Sequence, residues 1–504
     1  MNRLARTIFF LVWTIASLDI TSTMSGSHYI VSDLGGALYT GTYSVSFYVL
    51  GFMLTFPTGG HLCSMFGRRN VLYYSLIAFT LGNVLCTLHT NYFIFLVIRT
   101  FFGCCAGLVS QSSAALIAKH ASREIRRKNL GRAGFITTLI TSFGVSYGAF
   151  IAYEYDWPWI FKLQHPFLFA SILALSFYRT SFTRVEFHKF DWIGYISYSC
   201  SIFSLVFVTS LGQQLDWFRS PLISNLIGAF GIFTLFFILW QLKIEKPFLN
   251  LRLFKKPSFS VGMVFNILIN TSFYGITTLL SVWLSTEANY TPVYVAVILL
   301  TMFISSFAFY FAFHKFQDTV TSFPSIMLAV AVFALSAYYS STFNSEVNLG
   351  RLMISHTIAG FGFCFSTFPI IIYTLRLLSD DEVDQGRVMM MAFRFLSIGL
   401  GVVFYITVWI KRTVFYNVRL GSYLTVNSEL TEQTLKQAFF YTHSEEQSLH
   451  LLDEALHRQA TSLALADCFF LIKWILIGTF VLGLLYAYSQ KRKEKQAALE
   501  AGKT

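Results

Sequence analysis

Charge is scarce in this 504-residue sequence: Asp, Glu, Lys and Arg together make up 12% of it. A soluble domain carries about 25%. A chain this long with so little charge cannot cover a water-facing surface, which excludes an ordinary soluble globule. No phosphate-binding glycine loop occurs, so an ATP-driven pump is excluded as well. Nucleophile–base constellations are missing, and the stretches between apolar runs are too short for a catalytic domain. Neither an enzyme nor a bound cofactor is expected. The seven cysteines (Cys63, Cys86, Cys104, Cys105, Cys200, Cys364 and Cys468) lie mostly inside apolar runs. They show no CxxC or Cys/His spacing, so no metal site or redox role is expected of them.

What the chain does have is apolar sequence: 55% of it is hydrophobic and its mean hydropathy is +0.58. Runs long enough to span a bilayer, about 20 residues each, fall near 7–30, 42–63, 71–89, 92–117, 133–153, 158–178, 191–211, 221–241, 259–284, 292–313, 322–341, 351–376, 388–410 and 467–488. The fold class is therefore an all-α polytopic membrane protein with about 14 spans. The first run has Asp19 at its centre and no small-residue cleavage site after it, so it reads as a span and not as a cleaved signal peptide.

The net charge of +12 would suggest nucleic acid if it were clustered, but it is not. Alternate connections hold Arg68 and Arg69; Lys119, Arg123, Arg126, Arg127, Lys128 and Arg132; Arg179, Arg184 and Lys189; and Lys243, Lys246, Arg252, Lys255 and Lys256. The tail adds Lys491, Arg492, Lys493 and Lys495, whereas the intervening connections carry Asp33, Glu154, Asp156, Asp216, Glu287 and Glu346. This is the positive-inside pattern. It predicts an inner (plasma) membrane protein with both termini cytoplasmic, and no nucleic-acid partner.

Basic connections after the sixth and eighth runs divide the chain. Residues 1–180 read as an N-terminal six-helix bundle, 181–257 as two inserted helices with a linker, and 258–504 as a C-terminal six-helix bundle. Residues 411–466 read as an extracytoplasmic loop. Inside it, Ser444 and Gln447 suggest a capping box, and Leu449, Leu452, Leu456 and Leu463 recur at helical spacing. That helix is either a lid on the protein's own loops or a docking surface for a partner.

Two stretches carry a motif. Gly60-His-Leu-Cys-Ser-Met-Phe-Gly67-Arg68-Arg69 places glycines around a tight cytoplasmic turn, followed by two bases. Arg99 is followed four residues later by Gly103. Both resemble motifs of the major facilitator superfamily. Further segments are similar to its 14-helix drug:proton antiporter family, known for multidrug exporters of the Emr/Qac type: Leu18-Asp19-Ile-Thr21, Asp33-Leu34-Gly35, Trp157-Pro-Trp159, Phe190-Asp191-Trp192-Ile-Gly194, Pro247 to Phe254, Gly386-Arg387 with Arg394 and Gly399, and Gln459-Ala460 with Asp467. Gly134, Gly144 and Gly148 match its helix-packing motif. Departures lie at Ser64, where the family has an Asp, at Val145 in place of Pro, and at Met24 and His28.

An ionisable residue inside a span is a functional candidate by default. Asp19 shares a helical face with Ala16, Thr23 and Gly26, a small and polar stripe suited to a cavity; the plainer reading pairs it with a buried Arg. Arg99 either orients water or balances Asp19, or only bonds helix backbones. Arg394 has a structural alternative, and His356 is either titratable or packed. Lys162 and His165 read as interfacial. The resemblance implies alternating access with proton-coupled export of amphipathic, often cationic, small molecules, with Asp19, Arg99, Arg394 and His356 as proton or substrate residues and Gly60, Gly67, Arg68 and Arg69 as a gating loop. It also implies contact with membrane lipid and a periplasmic adaptor bound through 411–466. The alternatives are a proton-coupled importer or narrow-specificity metabolite transporter on the same fold, and a non-transporting sensor or scaffold.

Overall fold

The computed structural model describes residues 3–36, 38–88, 91–118, 123–177, 190–288, 290–313, 323–424 and 429–501. Every regular element among them is helical. The first part holds α1 (Arg3–Ser25), α2 (Ser27–Asp33), α3 (Tyr43–Thr55), α4 (Gly59–Phe66), α5 (Arg68–Leu85), α6 (Tyr92–Ala118), α7 (Arg123–Glu154), α8 (Trp159–Lys162) and α9 (His165–Phe177). Next come α10 (Trp192–Leu211) and α11 (Pro221–Lys243). The last part holds α12 (Pro257–Thr286), α13 (Pro292–Phe313), α14 (Phe323–Ser340), α15 (Leu349–Leu375), α16 (Asp380–Gly421), α17 (Glu429–Thr442) and α18 (Glu445–Ala501).

Each apolar run of the sequence falls on one helix or on two joined by a short break. Among the described residues, nine helices are long and apolar enough to cross a membrane, or ten if α3 and α4 form one span bent by 48°. Pro57 sits in that bend, where it supplies no backbone N–H to the turn. The remaining runs lie on α1, α5, α7 and α13. The basic residues Lys119, Arg179, Arg184 and Lys189, and the boundary near 180, lie outside the described residues.

Packing groups the helices. α3 lies against α6, α1 against α7, and α5 against α6 and α9; α12 lies against α16, α14 against α15 and α18, and α13 against α15. α7 also touches α13 and α15, and α3 touches α16. α10 and α11 pack on each other, and α10 also packs against α3 and α16. α11 turns Leu222, Ile232, Leu235, Phe236, Leu239 and Leu242 outward, an apolar surface suited to lipid and not to water.

One carboxylate ties this outer pair to the linker. Asp191 caps α10 by accepting from Gly194 N at 2.8 Å, and it also accepts from Trp240 Nε1 at 2.9 Å, Gln241 Nε2 at 2.8 Å and Phe248 N at 3.3 Å. The segments 190–194 and 247–254, set apart in the sequence, are thus joined at a single side chain.

The described residues of the connection 411–466 are mostly helical. α16 continues to Gly421, α17 follows, and α18 runs unbroken for 57 residues. At 1.5 Å per residue that is about 85 Å, far more than the roughly 30 Å apolar thickness of a bilayer. No proline interrupts α18, so the helix does not stop where its apolar stretch stops. Gln447 N reaches Ser444 Oγ at 3.5 Å, the first half of the expected capping box. Leu449 and Leu463 are exposed, at 56% and 40%. The base of the extension is seated on the protein's own loops: Arg458 Nε donates to Glu287 O at 3.3 Å, and Gln459 Nε2 to Ser345 Oγ at 2.9 Å.

Candidate functional site

The buried charges come first, because an isolated ion cannot stay in a low-dielectric interior without a partner. Asp19 on α1 and Arg99 on α6 are both 0% exposed, and Arg99 Nη1 donates to Asp19 Oδ2 at 2.8 Å. Arg99 Nε reaches Ser44 O at 3.4 Å, and its guanidinium lies over the rings of Tyr48 at 4.6 Å, Phe102 at 5.5 Å and Phe161 at 5.7 Å. Aromatic faces favour a cation held in this way. The arrangement is not saturated, since Asp19 Oδ1 and Arg99 Nη2 are buried with no hydrogen-bond partner.

Close helix contacts set this geometry. A Cβ at Gly103 would lie 2.1 Å from Tyr48 O, so α6 approaches α3 backbone to backbone and places Arg99 over Tyr48. A Cβ at Gly144 would lie 2.1 Å from Thr21 Oγ1, and one at Gly148 2.1 Å from Ser22 O, so these two glycines seat α1 against α7. Small residues at helix contacts do this in membranes generally. The side-chain surroundings of Gly134, on α7, lie outside those described.

A small cavity of about 30 Å³ opens beside this ion pair. α1 contributes Ala16, Ser17 and Ile20; α3 and its bend Phe52 and Phe56; α6 Ser110; α7 Thr137 and Thr141. From the second half of the chain come Tyr274 on α12 and Met391, Arg394, Phe395 and Ile398 on α16. Phe52 and Phe395 stack across it with ring centres 3.6 Å apart. Ala16 lines the cavity, but Asp19, expected on the same stripe, is turned toward Arg99 and is not among the lining residues. Arg394 does line it. His356, on α15, is 2% exposed, and its Nδ1 has no partner; it is not a lining residue either.

The segment 60–69, expected as a tight turn between glycines, is helical on both sides of Gly67 and lies apart from these groups. α4 ends at Gly67, whose φ of 88° and ψ of 136° belong to glycine, and α5 begins at Arg68. Arg69 Nη2 donates to Leu175 O at 3.1 Å and Ser176 O at 3.0 Å, satisfying carbonyls at the end of α9. Ser64 Oγ donates within its own helix to His61 O at 2.7 Å. The cross-chain bond is made nearby by Arg387 Nη2 to Gln111 Oε1, at 3.2 Å, which connects α16 to α6. Nothing in the sequence marks Gln111, Tyr48 or the Phe52–Phe395 stack. Each sits in or beside an apolar run, where no spacing marks it, and only the helix pairing reveals its role.

Two motif segments also meet in space: Trp157 Nε1 donates to Asp33 Oδ2 at 2.7 Å. The family model described as Major Facilitator Superfamily matches residues 6–404. The fatty acid resistance protein FarB of Neisseria gonorrhoeae is 22% identical over 451 residues, covering 88% of this chain and 87% of its own. The multidrug export protein EmrB of Escherichia coli (strain K12) is 26% identical over 414 residues, covering 80% and 79%. Among solved structures, the partially occluded inward-open xylose transporter XylE from E. coli aligns with a TM-score of 0.56 at 12% identity. That alignment covers 94% of this chain and 95% of XylE, and it is a likeness of fold.

Proposed function

The chain belongs to the major facilitator superfamily, and from that premise we propose that it exports amphipathic small molecules in exchange for protons. It is a multi-pass membrane transporter and not an enzyme. Export is supported by its likeness to proteins named for multidrug export and fatty acid resistance. The observation that carries the reading is the cavity, lined by both the first and the last group of helices and crossed by the Phe52–Phe395 stack. Opening that stack on one side and closing it on the other is alternating access.

We assign coupling to the Asp19–Arg99 ion pair. A proton arriving at Asp19 removes the charge that holds Arg99, so protonation and the seating of α1 against α6 change together. We assign gating to Gly60, Gly67, Arg68 and Arg69, beside the Arg387–Gln111 contact, and take 1–180 and 258–504 as the moving units with 181–257 inserted between them. The groupings of α1–α9 and of α12–α16 with α18 support that division.

Reconstituted liposomes carrying a pH gradient test the whole reading. Expected is counterflow of an amphipathic probe against protons, collapsing when the gradient is dissipated. Accumulation with the protons instead of against them would make the protein an importer on the same fold. No gradient dependence at all would remove proton coupling. Orientation rests on loop charge. A reporter fused after Thr504 should read as cytoplasmic and one inserted near Ser444 as external; the same reading from both would overturn it.

A further inference from the structure

Arg394 is the one charged side chain among the described residues lining the central cavity. It is 5% exposed, and its Nη2 is buried without a partner. No described residue gives it a hydrogen bond or an ion pair. Asp19 does not serve, because it is held by Arg99 at 2.8 Å and is not among the residues lining the cavity. A guanidinium kept from water with no counter-charge is a costly arrangement in a protein interior. Binding an anion there relieves that cost, which gives the cavity a reason to prefer one.

The rest of the wall sets the other half of the ligand. Phe52, Phe56, Phe395 and Met391 supply apolar and adaptable surface, while Ser17 and Tyr274 add hydroxyls. The planar fork of an arginine matches a carboxylate with two parallel hydrogen bonds. We propose that the cavity binds an anionic amphiphile, its carboxylate on Arg394 and its apolar body on Phe52, Phe56, Phe395 and Met391. This rests on the transport reading above and narrows its substrate class. A cationic amphiphile would meet the aromatic faces, but it would also meet a fixed like charge with no acid beside it among the described lining residues.

The test uses the full chain in nanodiscs and three probes of equal chain length: dodecanoate, dodecanol and dodecyltrimethylammonium. Binding is measured at equilibrium without a pH gradient, against empty nanodiscs. Dodecanoate is expected to bind at least about tenfold more tightly than the other two, as a charge-assisted hydrogen-bonded contact provides. Arg394→Gln should bring dodecanoate down to the level of dodecanol. Arg394→Lys, which keeps the charge and loses the fork, should leave a reduced preference. If Arg394→Gln does not fold, the wild-type ranking and Arg394→Lys decide the matter. Equal binding of dodecanoate and dodecanol by the wild type overturns the proposal. So does a preference for the ammonium probe, or a dodecanoate preference that survives Arg394→Gln. A head-group preference that depends on Arg394 upholds it even where gradient-driven flux fails, since the binding measurement does not depend on coupling.

Discussion

Asp19→Asn is expected to abolish flux driven by a pH gradient and to destabilise the protein by about 3–5 kcal/mol, the usual consequence of removing one partner from a buried ion pair. Both side chains are 0% exposed and 2.8 Å apart, so the substitution leaves the Arg99 guanidinium with Ser44 O and three ring faces but no counter-charge. Arg99→Gln should destabilise by a similar amount, because it strands the carboxylate. The double variant Asp19→Asn/Arg99→Gln removes both ions and should regain much of the lost stability, which a double-mutant cycle reads as the coupling of the pair. Flux should not return with it. Recovery of stability without coupling separates a proton site from a structural clamp. Undiminished pH-gradient-driven accumulation by a folded Asp19→Asn protein would take the ion pair out of the mechanism and move coupling to His356 or to Asp467.

That ion pair also shows how much of the site the sequence could reveal. An intramembrane Asp and an intramembrane Arg stand out on cost alone, and their pairing is one of the readings the sequence leaves open. The direction of Asp19 was less accessible. At 3.6 residues per turn, Ala16, Ser17 and Ile20 centre the cavity face of α1, and Asp19 lies about a quarter turn to its side. A small and polar stripe describes both faces equally well, so only the position of α6 decides between them. The same limit applies to the motif segments. Asp33 with Trp157, and Asp191 with Trp240, Gln241 and Phe248, are each one contact in space, yet they stand far apart in the chain. The extension at 411–466 shows a different limit. Hydropathy marks where a helix leaves lipid, and α16 and α18 continue well past that point.

Gly103→Val and Gly67→Val should fail in different ways, because the two glycines answer to different constraints. At Gly103 the constraint is packing. An added Cβ would lie 2.1 Å from Tyr48 O and 2.9 Å from Tyr48 C, and across the same contact a Cβ at Gly51 would lie 1.9 Å from Thr100 O. Backbone atoms on both sides cannot swing aside as a side-chain tip would, so α3 and α6 must separate. Tyr48 is also the ring beneath Arg99, and moving it opens the ion pair. Expected is loss of monodisperse protein on extraction from the membrane. At Gly67 the constraint is conformational. A φ of 88° with ψ of 136° costs a branched residue about 1–3 kcal/mol, a strain that the turn can shed by rearranging. Gly67→Val should therefore insert and purify normally, yet lose transport, because the junction that aims Arg69 at the end of α9 is displaced. Full flux in a well-folded Gly67→Val protein would make the loop a passive tether, and a stable, active Gly103→Val protein would show that the close approach of α3 and α6 is not required.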